Sequence, residues 1–480
     1  MKKTVLFVGV YLCVLTPLCS QVDRSSPPPA GPTPEIQLKS PQKFVLPNGL
    51  RLFVVEDHKL PRVSTILLSD NPPQIEGEIK GVNAILGNML GKGSRSINKN
   101  DFDDEIDFIG ATINFGATSA ALLSLSRYFS RGIELMADAI LFPSFLETEF
   151  TKEKQLLLQA IKRNENAIQA ILRRVENRVM YGSSDPRGES IQKESIAKIE
   201  LDDVKRYFNA NLNPSNAYLF VIGDVQFKAV KKKIVKLFRQ WKDSPKALGA
   251  SPSVKQPESM ALNLIDVPNA TQSEVSIIFT ADLKKKHPDY FPMLLADVIL
   301  GGGPQGRLFQ NLREDKGYAY GAYSSFSTSK YHRAVFRASS SVRNQVVDSA
   351  AIELLKEFKR MVDTFVSEEE LKVAKAIYLG EFIRALESPS TQAQFAFDIE
   401  YLSLPKNFYV SYLQKINAVT VADIQRVTQK YFHIDKAQVF VAGNASEIRE
   451  KIAHLKPFGK ILPLSQWDKK GNAIPSNNRN

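Results

Sequence analysis

Arg313 and Tyr320 are the residues of this chain best equipped to act on a reacting group. They stand seven apart in the stretch Gly301 to Tyr320, GGGPQGRLFQNLREDKGYAY. A guanidinium brings five charged N–H donors and a phenol one O–H, so together they suit a carbonyl oxygen that gains negative charge during reaction. The spacing lets them meet if a short helix ends at Gly317 and the strand turns back. Ahead of them, Gly301, Gly302 and Gly303 allow positive φ and close approach of a backbone or ligand, which makes them a candidate substrate-binding turn. The same residue types also support a structural reading, with the arginine paired to a nearby acid and the tyrosine filling a sheet edge. Arg307, earlier on the same helix, is not expected to contribute to kcat.

Other chemistry is sparse. None of the five histidines, His58, His287, His332, His433 and His454, has another histidine within a helical turn, so packing or surface roles are expected for them. The chain has no G-x-S-x-G elbow to activate a serine. Its two cysteines, Cys13 and Cys19, both fall within the first 20 residues.

That opening segment, MKKTVLFVGVYLCVLTPLCS, pairs two lysines with an apolar run and small polar residues, the layout of a cleaved secretory signal. Cleavage would leave a mature chain without cysteine and lower the net charge from +12 to +10 by removing Lys2 and Lys3. Export to a periplasm is the expected location. Acylation of Cys19 would add a lipid anchor, although Leu18 is bulky for such a site. No later run approaches the roughly 20 apolar residues of a membrane span, so no transmembrane segment is expected in the mature chain. The basic stretch Lys228 to Asp243 places Val230, Ile234 and Leu237 at helical spacing with lysines opposite, a solvated face, and nucleic acid is not an expected partner.

With 480 residues, 43% of them hydrophobic and 24% charged, the chain is too long for one ordinary core, and two or more packed domains are expected. After a proline-rich spacer at 21–40, alternating residues around Asn48-Gly49 predict a hairpin. Val63 to Leu68 reads as a strand, Gly81 to Leu90 as a helix, Ala111 to Phe115 and Ala121 to Ser126 as strands. Glu147 to Tyr181 reads as one long helix, with Leu156, Leu157, Ile161, Ile168, Ile171, Leu172, Val175 and Val179 near the helical period. The strands ending Val-Ile-Gly-Asp224 and Val-Ala-Gly-Asn444 place Phe220 and Phe440 220 positions apart, and at the same offset Asp203-Val-Lys-Arg206 matches Asp423-Ile-Gln-Arg426. That is an internal duplication. The expected fold is α+β: two duplicated domains, at 41–242 and 259–460, each an antiparallel or mixed sheet covered by helices, joined by a linker at 243–258 and followed by a tail at 461–480.

The glycine-rich turn, the Gly306-Arg-Leu-Phe309 helix opening and the Arg-x6-Tyr spacing resemble the C-terminal half of pitrilysin/insulinase-type zinc metallopeptidases. The resemblance covers nearly all of residues 40 to 460. It implies a zinc helix in the first half, built on H-x-x-E-H, and here the matching segment is Gly81-Val-Asn-Ala-Ile-Leu-Gly-Asn-Met-Leu-Gly-Lys-Gly-Ser94. Ala84 and Asn88 stand at the two histidines, Gly87 at the glutamate base, and Ala160, seven residues after Glu153, at the third ligand. Ligands and base are missing together while Met89, Leu90, Lys92 and Gly93 remain. The family includes two-chain members similar to mitochondrial processing peptidase, in which one subunit carries zinc and the other the Arg/Tyr pair. The resemblance therefore implies a non-catalytic subunit that binds no metal itself, pairs as a heterodimer with a zinc-bearing homologous subunit, and holds peptide substrates with Arg313 and Tyr320. The alternative is an inactive peptide-binding or assembly protein with the same shell.

Overall fold

Apolar residues alternate on both sides of Asn48-Gly49, and in the computed structural model, which describes residues 41–242 and 257–475, the chain folds back there as β1 (Gln42–Val45) and β2 (Arg51–Glu56). Gly49 takes φ +91°, and a Cβ on it would lie 2.8 Å from the Ser215 backbone, so the turn needs glycine twice over. β3 (Arg62–Ser69) buries alternate residues. Then come α1 (Val82–Met89), β4 (Thr112–Gly116), β5 (Ser119–Leu125), α2 (Glu147–Asn164), α3 (Ile168–Tyr181) and β6 (Ala217–Gly223). They build a sheet in the order β1-β2-β6-β3-β5-β4, in which only β2 and β6 run parallel.

The second half repeats the plan with β7 (Ala261–Asp266), β8 (Gln272–Ala281), α4 (Tyr290–Gly301), β9 (Ala319–Ser327), β10 (Ala334–Arg343), α5 (Glu368–Leu386), α6 (Pro389–Tyr401) and β11 (Gln438–Gly443). The order β7-β11-β8-β10-β9 has the same pairing senses as β2-β6-β3-β5-β4. Phe220 and Phe440 sit fully buried on the equivalent strands β6 and β11. The outer edges differ. The first sheet ends in the β1 hairpin, whereas β12 (Leu464–Trp467) adds parallel to β7 and carries β13 (Ala473–Ile474) beyond it. Residues 461–480, expected as a tail, therefore contribute two strands, because Leu464 and Trp467 find partners along β7 and the Trp467 indole donates to Asn263 Oδ1 at 2.9 Å.

The long helix expected over 147–181 is two helices, separated at residues 165–167. The physical reason lies in their targets. α2 packs against α1, while α3 crosses to the other half, where Ile171, Leu172 and Val175 cover Ile265, Ile278, Phe440 and Ala442 of the second sheet. α6 makes the reciprocal crossing, laying Ala396 and Phe397 on Phe53, Val55, Phe220 and Ile222 of the first sheet. Each sheet thus has a face closed by a helix of the other half, which is why β6 and β11 are buried almost throughout. Glu176, buried in the middle of α3, accepts from Ser276 Oγ at 2.5 Å and from Arg337 Nη2 at 3.0 Å, so the crossing is also pinned by a charge-assisted bond. No helix among the described residues is long and apolar enough to cross a membrane. The expected leader, the spacer and nearly all of the expected linker lie outside the described residues.

Candidate functional site

The apolar sequence YFPMLLADVILG makes α4 helical and buries it almost all round, and the helix ends at Gly301. None of Gly301, Gly302 and Gly303 takes a positive φ, contrary to one of the two reasons expected for them. They serve close approach instead. A Cβ on Gly301 would lie 2.5 Å from Ser324 N, and one on Gly302 would lie 2.7 Å from Val298 Cα, whereas Gly303 faces open space. One helical turn at Arg307–Phe309 then widens into a π-helical segment, Gln310–Asp315. Its wide turns bond Lys316 N to Asn311 O at 3.0 Å and Tyr318 N to Leu312 O at 2.8 Å, and Gly317 at φ +63° ends it. Such π-turns are rare and cluster at functional sites.

This geometry brings Arg313 to the start of β9. Its Nη1 donates to the backbone carbonyl of Tyr320 at 2.9 Å, its guanidinium lies 4.9 Å from the Phe309 ring centre, and Glu314 Oε1 is 3.4 Å from Nε. The two predicted residues converge, but through the tyrosine's main chain and not its phenol. The Tyr320 side chain points outward and is 85% exposed. Among the described residues β9 is the last strand of its sheet, paired to β10 alone.

Arg307 has a structural partner. It is buried and forms a two-pronged bond to Glu370 at the start of α5, Nε to Oε1 at 2.6 Å and Nη2 to Oε2 at 3.0 Å. Burial alone would raise the Glu370 carboxyl, but hydrogen bonds from Arg307 and the Ser367 main chain outweigh it and hold it at about 2. Beside the pair, a cavity of about 630 Å³ separates the glycine turn from α5, lined by Gly302, Gly303, Gly306, Gln310, Glu370 and Ile377 among others. Asp297, in the middle of α4, clasps β9: Oδ1 accepts from Ser324 Oγ at 2.6 Å and Oδ2 from Phe326 N at 3.0 Å. Burial pushes its carboxyl up to about 6 against those bonds. The reading of the sequence missed both acids, although a lone aspartate in an otherwise apolar helix was a usable signal.

The first half keeps the corresponding helix in place without its chemistry. Glu76 caps α1, its Oε2 accepting from Gly81 N at 2.9 Å and Asn83 N at 3.2 Å. Ala84, Gly87 and Asn88 lie on α1, and Ala160 on α2, which packs against it. Glu153, buried on α2, faces Lys92 Nζ at 3.5 Å. Zinc does not fit these residues. Alanine and glycine offer no donor, and a Cβ on Gly87 would already lie 3.1 Å from Gly116 Cα, so even the first atom of a side chain there presses on the backbone of β4. Among the described residues no group of three His, Cys, Asp or Glu side chains could hold a metal ion.

Residues 198–378 match the family model described as "Peptidase M16 inactive domain". Over 84% of this chain and 98% of its own length, the "Uncharacterized zinc protease YmxG" of Bacillus subtilis is 22% identical. The "Non-peptidase homolog YmxG" of Helicobacter pylori is 21% identical over 76% of this chain and 84% of its own. The crystal structure of a peptidase M16 inactive domain from Pseudomonas fluorescens superposes with a TM-score of 0.76 at 21% identity, covering 84% of this chain and 98% of that one, and so shares the fold. Residues 198–378 thus carry an M16 inactive domain, and over most of its length the chain is similar to M16-type zinc-peptidase homologues, without zinc ligands at the positions of H-x-x-E-H.

Proposed function

We propose that this chain is the non-catalytic, substrate-holding subunit of an exported, periplasmic zinc peptidase, paired as a heterodimer with a homologous subunit that carries the zinc. The observation that supports it is an open edge strand that exposes the Tyr320 phenol and whose main chain at Tyr320 holds the Arg313 guanidinium, in a molecule whose α1 carries no zinc ligands. An extended peptide can add to a sheet edge such as β9 through main-chain hydrogen bonds. Arg313 uses one N–H on the Tyr320 carbonyl and retains donors for a substrate carbonyl, and the exposed Tyr320 side chain offers a hydroxyl on the same strand. Zinc in the partner would supply the attacking water. In the reconstituted pair, Tyr320→Phe or Arg313→Ala should lower kcat by about 10²–10³, as loss of one preorganised oxyanion donor does, with far less change in KM.

Full activity in both variants would favour a second reading, an inactive peptide-binding or assembly protein. One observation already speaks for it: Arg313 is engaged by the Tyr320 carbonyl, the Phe309 ring and Glu314, as a structural arginine would be. On that reading the isolated chain binds unstructured peptide saturably, and Tyr320→Phe leaves the affinity unchanged.

A further inference from the structure

A second cleft, of about 530 Å³, shares no lining residue with the glycine turn. It opens where the α2–α3 junction, the segment 191–194 and the turn between β12 and β13 meet, so its walls come from both halves of the chain. Five cations line it: Lys162 from α2, Arg174 from α3, Lys193, and Lys469 and Lys470 from the turn. Two acids, Glu165 and Glu194, offset only part of that charge, and Glu194 is taken by Lys470 at 3.1 Å. Arg174 donates to the Lys469 carbonyl and Lys469 to Asn166 Oδ1 at 2.8 Å, both neutral acceptors. Among the described residues no carboxylate oxygen lies within 4.0 Å of the charged nitrogens of Lys162, Arg174, Lys193 or Lys469.

The turn is built to hold its lysines there. Asp468 Oδ1 accepts from the main-chain N–H groups of Lys470 and Asn472, each at 2.8 Å. Gly471 sits at φ +84° against the Arg178 side chain. Like charges gathered in one half-enclosed space repel unless an anion sits among them. Burial lowers the Arg174 guanidinium from its ordinary range, with Glu165 and Asp468 acting the other way.

We propose that this cleft binds a small phosphate-bearing polyanion, which bridges the two halves of the chain. Ammonium groups arriving from separate elements act as point charges around a tetrahedral oxyanion, where a planar carboxylate would ask for an arginine fork. Titration calorimetry and thermal melts of the full chain with pyrophosphate test this. Saturable one-to-one binding and a raised Tm are expected. Lys162→Glu with Lys193→Glu should weaken binding by at least about tenfold. Lys228→Glu with Lys232→Glu, the same charge change on another exposed helix face, should leave it intact. All four side chains are exposed, and a Lys469→Gln variant with weakened binding gives the same answer should the first pair disturb folding. Equal loss in both double variants, or no saturation in the parent chain, overturns the proposal. Vesicles containing phosphatidic acid separate the sources: binding that pyrophosphate displaces assigns the phosphate to a lipid headgroup, whereas pyrophosphate binding without vesicle binding assigns it to a free anion.

Discussion

The two halves make one joint in two ways. Leu90-Gly-Lys-Gly93 and Leu300-Gly-Gly-Gly303 stand 300 − 90 = 210 positions apart, and on that offset Gly87 of α1 falls on Asp297 of α4. Both helices follow equivalent strands, β3 and β8, and both lean on the far edge of their sheet. In the first half the joint is backbone against backbone, with a Cβ on Gly87 only 3.1 Å from Gly116 Cα. In the second it is a carboxyl clasp, Asp297 holding Ser324 and the Phe326 main chain. The lesson is that loss of the zinc ligands is not confined to side-chain identity. The glycine joint is tight for any Cβ at the position of the base, while the aspartate joint fixes the strand that presents Tyr320.

The largest effect is expected in the second half. Arg307→Ala strands the Glu370 carboxylate and should destabilise the chain by roughly 3–5 kcal/mol in denaturant unfolding, through the second half. A change of less than about 1 kcal/mol would show that the pair is screened like a surface bridge. Next is pH. The Asp297 carboxyl is raised from 3.8 to about 6 in the folded chain, so between those values the folded state binds more proton than the unfolded one, and stability falls as pH rises. The contribution is fully present below about pH 3.8 and lost above about pH 6, amounting to no more than about 3 kcal/mol. Urea titrations across that range should show the slope in the parent chain and a flatter one in Asp297→Asn; parallel curves would remove Asp297 from the account.

Smaller still is Gly87→Glu, which restores the residue type of the base but forces it against β4. Overpacking of about 1–3 kcal/mol is expected, and a neutral or stabilising outcome would mean that the hairpin yields and that the joint is not closed. The smallest expected effect is none. The purified chain should hold no stoichiometric zinc, and a chelator should leave its Tm unchanged; one tightly held zinc per chain in elemental analysis would overturn the degenerate-site reading.

Much of this was written in local sequence. The Asn48-Gly49 hairpin follows from turn chemistry, the strand β3 from its apolar pattern, and the missing ligands from residue types alone, because an alanine carries no donor in any fold. The matched Phe220 and Phe440 strands announced the repeated sheets. The glycines at 301–303 marked a close approach, though not its partner, Ser324. Tertiary structure alone decided that residues 147–181 part into two helices and that the second of them, with α6, closes the opposite sheet. Periodicity records that one face of a helix is apolar, and any apolar sheet face can satisfy it. Tertiary structure likewise decided that Arg307 spends its charge on Glu370, sixty-three residues on, that Arg313 meets a main-chain carbonyl, and that the last residues enter the second sheet as β12 and β13. Those partners lie far apart along the chain and become neighbours only when the layers close, so no spacing within one segment could name them.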